Sequence, residues 1–175
     1  MPPTTANPKG YWEREDIRQL NDRVISGLSM SWDNISDFDT KLLTPEVHQS
    51  IETEAPKIIF GLEAHRPWMT KDPRFCLLLP LWRPFLEIPV CVYVYRSPIQ
   101  VAQSLNKRDG FPITLGVALW EKYNLYGLAN TADLSRILVS HEELMRNPIA
   151  TIKKLHQDLL DCDVQGLRLP SEKEI

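Results

Sequence analysis

Glycine is scarce in this chain and never clustered. Its seven glycines stand at 10, 27, 61, 110, 116, 127 and 166. A loop whose backbone N–H groups cradle a phosphate needs small residues close together, as in G-x-x-x-x-G-K-[ST]. No such stretch is present, which disfavours a nucleotide or small-molecule kinase. Cysteine is scarcer still. Cys76, Cys91 and Cys162 form no close pair and no metal-ligand spacing, so the thiols read as reduced and partly buried, and no metal is expected. Positive charge is not in excess either. A net charge of −3 argues against nucleic acid as the main partner, while leaving room for a locally basic site. No apolar run approaches the roughly 18 residues of a membrane span, and no secretory signal is seen. The expectation is a soluble, cytoplasmic protein with no membrane partner.

What is present reads as one globular domain. A length of 175 residues suffices for a sizeable core. The ends, 1–8 and 165–175, carry no pattern to bury and are expected to be flexible. Helical spacing of Ile17, Leu20, Val24 and Leu28 predicts a helix near the start, with Glu13, Glu15 and Asp16 at its electropositive end. Residues 29–43 read as a loop. Within it, Trp32 and Phe38 line a pocket or cover the core, with core cover favoured. Thr44-Pro45 predicts a helix start, and Pro56 is expected to end or kink that helix. Residues 68–70 read as a short strand that feeds Lys71-Asp72-Pro73-Arg74, with Asp72 capping the next helix. Pro112 begins a long helix whose buried side carries Leu115, Leu119, Tyr123 and Tyr126, with Trp120 beside it. Residues 137–139 form another short strand, and Asn147-Pro148 starts a last amphipathic helix.

The chain is organised around residues 90–104, VCVYVYRSPIQVAQS. The run 90–95 is uncharged and rich in β-branched and aromatic residues, which predicts a central strand of a parallel sheet, buried on both faces. It ends at Arg96. Ser97 and Pro98 then open a helix. An arginine at the carboxyl end of a buried strand, beside a helix N-terminus, suits an anion. Ser104 lies nearly two turns beyond the cap, roughly 10 Å along the axis at about 1.5 Å per residue. Arg96 and Ser104 are therefore candidates to meet over one phosphate, since the planar guanidinium takes phosphate oxygens in pairs. The plainer alternative leaves Arg96 paired with a surface carboxylate and Ser104 facing solvent. Arg108, one turn further on, is a candidate addition to the same site.

At these residues the chain resembles the sulfotransferases that use 3′-phosphoadenosine 5′-phosphosulfate. Arg-x-Pro after a strand, with Ser eight residues past the Arg, is similar to their 3′-phosphate-binding segment. NPKGYWE (7–13), KDPR (71–74), ALWEKYN (118–124) and LVSHEELMRNP (138–148) agree, in the family's order. The resemblance is closest to the bacterial-type, P-loop-related members. It implies that Arg96 and Ser104 bind the 3′-phosphate and that Lys71 steadies charge on the bridging oxygen. It further implies that Glu13 is the general base toward the acceptor. Asp37-Phe-Asp39-Thr40 also matches the short aspartate signature of haloacid-dehalogenase-type phosphatases. No buried strand precedes it, so the match is taken as chance.

One family part is missing. Such enzymes open with a strand and a Gly-, Ser- and Thr-rich loop for the 5′-phosphosulfate, and the resemblance begins after that point. The expected fold is α/β: a P-loop-NTPase-like parallel sheet flanked by helices, lacking its first, central strand and loop, in an N-terminally truncated domain. The implied reaction is sulfuryl transfer to a hydroxyl or amine of a small-molecule or glycan acceptor, with little turnover by this chain and no metal. The alternative is a non-catalytic nucleotide-binding or interaction remnant.

Overall fold

The computed structural model describes residues 12–175. The expectation for residues 1–8 and most of the 7–13 segment lies outside them. The chain divides into two compact units. Unit 1 holds the residues up to Glu87 together with Glu121–Asn130, and unit 2 holds Ile88–Trp120 and Thr131–Ile175.

Unit 1 is helical. Helix α1 (Glu15–Ser26) forms on the predicted spacing but ends before Leu28, and it buries Ile17, Leu20, Val24 and Ile25. Glu15 and Asp16 occupy its first turn, where backbone N–H groups favour negative charge. Arg18 pairs with Glu15 on one side and Asp22 on the other, one turn away in each direction. Helix α2 (Pro45–Glu63) packs on α1 and buries Ile51, Ala55, Ile59 and Leu62. Of the two expected outcomes at Pro56, an end or a kink, the first does not occur: the helix runs on to Glu63. An interior proline costs about 3 kcal/mol. Apolar residues buried on both sides of it outweigh that cost. Helix α3 (Phe75–Trp82) buries Leu77, Leu78, Leu79 and Trp82. Phe38 is core, as favoured, set edge-on to Tyr126 at 5.7 Å between ring centroids. No strand forms at residues 68–70. That is a correction: Lys71 follows irregular chain, because no described strand lies beside those residues to complete a ladder.

Unit 2 carries the sheet. Strands β1 (Cys91–Tyr95) and β2 (Arg136–Ser140) pair in parallel, with Val92 opposite Ile137 and Val94 opposite Val139. The parallel pairing agrees with the reading, but the burial does not. Val92 is 36% exposed and Val94 57%, so β1 is not a central strand covered on both faces. Among the described residues β2 is its only partner. Helix α4 (Pro98–Asp109) follows, with Ser97 at its cap position and Pro98 first, although the Ser97 hydroxyl makes no capping bond. Gly110 ends it in the left-handed conformation, φ 74°, which glycine adopts without strain.

Helix α5 (Ile113–Asn130) begins in unit 2 and ends in unit 1. An added Cβ at Gly116 would lie 2.7 Å from Ala102 Cα, so only glycine permits this approach of α5 to α4. Helix α6 (His141–Arg146) starts with Ser140 Oγ accepting from Glu143 N. Helix α7 (Pro148–Asp161) starts with Asn147 Oδ1 accepting from Ala150 N. Both helices pack against β2. The fold is thus α/β, with seven helices and a small two-stranded parallel sheet flanked by helices among the described residues. None of these helices is long and apolar enough to cross a membrane.

Candidate functional site

In unit 1 the polar groups begin with a buried amide. Asn21 sits on the apolar face of α1 and is 0% exposed. A buried amide without partners costs roughly 1–3 kcal/mol, so its bonds matter. Its Nδ2 donates to Asp72 Oδ2 at 3.0 Å, and its Oδ1 accepts from Trp82 Nε1 at 2.8 Å. Asp72 Oδ1 accepts from Arg74 N at 2.8 Å and from Arg74 Nη1 at 2.9 Å. Asp72 therefore organises the turn leading into α3 rather than capping it as expected: the cap position falls at Arg74, and Pro73, which has no N–H to satisfy, lies in the turn before it.

Arg74 gathers three carboxylates. Besides Asp72, its Nε lies 2.6 Å from Asp22 Oδ1, an ion-pair contact rather than an aligned hydrogen bond. Its Nη1 lies 3.7 Å from Glu13 Oε2. Burial pulls the Arg74 guanidinium down, but Asp72, Asp22 and Glu13 more than offset this, and its pKa stands above the ordinary value. Arg74 is thus a permanent cation at the centre of the cluster.

The cluster opens outward at Lys71. Lys71 Nζ lies 3.1 Å from Glu13 Oε1. The Glu13 side chain is 6% exposed and that of Lys71 50%, so a nearly buried carboxylate carries a cation on its solvent side. This brings together two residues that were singled out from separate segments. A carboxylate oxygen can take a proton, and an ammonium can neutralise a developing anion, within one hydrogen-bond length. Beside Arg74 a cavity of about 410 Å3 is lined by Arg18, Asp22, Ser31 and Trp32 among others. Trp32 therefore borders a pocket, whereas Phe38 is buried in the core. Tyr123, whose hydroxyl donates to Trp32 O at 2.8 Å, is pushed up in pKa by burial and stays a neutral donor.

Unit 2 holds the second group of candidates. Arg96 stands between β1 and α4, half-buried. Its carbonyl oxygen accepts from Trp120 Nε1 at 3.0 Å, and its Nε donates to Gln100 Oε1 at 3.0 Å. Among the described residues no hydrogen bond or ion pair to its terminal Nη1 or Nη2 is found. The expected alternative, a pairing with a surface carboxylate, is not what the structure has. Within α4, Gln100 and Ser104 stand one turn apart on one face, and Arg96, which precedes the helix, reaches Gln100 from its side chain. Ser104 is exposed there, and no bond joins it to Arg96. Arg108 reaches Asp109, with Nη2 2.7 Å from Oδ2. No group of His, Cys, Asp and Glu set to hold a metal occurs among the described residues.

Sequence reasoning did not single out Asn21, Asp22 or Gln100 and gave Arg74 no role. Asn21 had a signal: it interrupts an apolar helical stripe, which is where a buried amide needs partners. Gln100 had one too, being a turn beyond Arg96. Asp22 and Arg74 had none, since their pairing spans a stretch with no shared periodicity. No family model, curated protein or solved structure matches this chain.

Proposed function

We propose that the chain is a sulfotransferase-like protein of P-loop-related, cytoplasmic type. It would act on 3′-phosphoadenosine 5′-phosphosulfate and on a hydroxyl or amine acceptor, a small molecule or a glycan. The observation that carries this reading is the Glu13–Lys71 contact at 3.1 Å, with the carboxylate nearly buried. In the reaction the acceptor oxygen or nitrogen attacks sulfur, and Glu13 takes its proton. The sulfur–oxygen bond to the nucleotide breaks, and Lys71 neutralises the charge left on the departing phosphate oxygen. In unit 2, Arg96 offers two amino groups to the 3′-phosphate, Ser104 a hydroxyl on the same helix face, and Arg108 further positive charge.

The residues fit the two ends of the donor unequally. The open Arg96 fork suits a phosphate. The dispersed glycines offer no cradle to the 5′-phosphosulfate. That asymmetry favours a second reading, a nucleotide-binding or interaction remnant without chemistry. A donor-consumption assay separates the two. Release of sulfate or sulfated product that is lost in both Lys71→Ala and Glu13→Gln supports transfer. Binding of nucleotide with no consumption overturns transfer and supports the remnant.

A further inference from the structure

A long cationic side chain binds a phosphate well only if its fork is held in place before the ligand arrives, without its charge being cancelled. The Arg96 guanidinium meets both conditions through one neighbour. Gln100 Oε1 takes the Nε–H at 3.0 Å and leaves the two terminal amino groups without a partner among the described residues. The acceptor is an amide, so it orients the guanidinium and adds no negative charge that would repel a phosphate. A carboxylate at the same place would hold the arginine equally well and neutralise it.

The backbone beneath is fixed from α5. Trp120 Nε1 donates to the Arg96 carbonyl at 3.0 Å. The Gly116 approach to Ala102, itself fully buried, seats α5 against α4. Both ends of the arginine are therefore anchored, the main chain by Trp120 and the guanidinium by Gln100. We infer that Gln100 is a positioning residue for phosphate binding at Arg96, an inference that rests on the proposed nucleotide site.

The test is calorimetric titration of adenosine 3′,5′-bisphosphate and of adenosine 5′-monophosphate into wild type, Gln100→Ala, Gln100→Met and Gln103→Ala. Gln103 is an exposed glutamine on the same helix and serves as the control. Gln100 is exposed too, so its variants are expected to fold, and their thermal midpoints should match wild type. Both Gln100 variants should lose about tenfold in bisphosphate affinity. Monophosphate binding should be unchanged, because only the 3′-phosphate meets the arginine. Gln103→Ala should behave as wild type. Bisphosphate binding within about twofold of wild type in both Gln100 variants, or an equal loss for both nucleotides, overturns the inference and leaves the nucleotide site standing. No preference of wild type for the bisphosphate removes the site and the inference together.

Discussion

In unit 1, Leu20, Leu77, Leu78 and Trp82 are all at most 2% exposed. In unit 2, Val92, Val94 and Leu138 of the sheet are 36%, 57% and 60% exposed. FCLLLPLW of α3 and CVYVY of β1 are both free of charged residues. What differs is coverage. Unit 1 folds helix on helix, and each apolar stripe meets another. Unit 2 has two strands and helices packed on β2, so Ile137 and Val139 are buried while their register partners Val92 and Val94 are not. Hydrophobicity sets what burial is worth, and the number of neighbouring elements sets how much of it is realised.

Paired truncations break or sharpen this contrast. Trp82→Ala removes a buried ring that packs edge-on to Phe75 and donates to Asn21, and it should cost about 3–5 kcal/mol in urea unfolding. Asp72→Ala should cost about 3 kcal/mol, because it strips a buried acceptor from both Asn21 and Arg74. Val94→Ala, in the same assay, should cost under about 1 kcal/mol, because more than half of that residue already meets water. Equal costs for Trp82→Ala and Val94→Ala would mean that β1 is covered in solution and that the contrast is false.

The sequence made the helices legible and left the surroundings of the sheet hidden. Ile17, Leu20 and Val24 announce α1 by spacing, and Asn147-Pro148 announces α7 by cap chemistry. Residues 90–95 announce a strand, since β-branched and aromatic side chains suit a pleated backbone. Burial of that strand is a property of its neighbours, and an apolar run looks the same with or without them. The missing strand at residues 68–70 has the same cause: a strand exists only in a pair. Pro56 shows the reverse case, a local rule overridden by packing on both sides. Lys71 and Glu13 stand out in the sequence only through the segments that carry the resemblance, and neither segment announces their contact at 3.1 Å. Asn21, 51 positions before Asp72, gave only the hint of an amide in an apolar stripe.

The central claim is that Arg96 is a phosphate ligand. The most direct measurement is calorimetric titration of adenosine 3′,5′-bisphosphate into wild type and Arg96→Ala, with thermal unfolding to confirm that both are folded. The account predicts saturable binding to wild type and a loss of at least about tenfold in the variant, since the terminal amino groups of the guanidinium are open to the ligand. Undiminished binding by Arg96→Ala would contradict it.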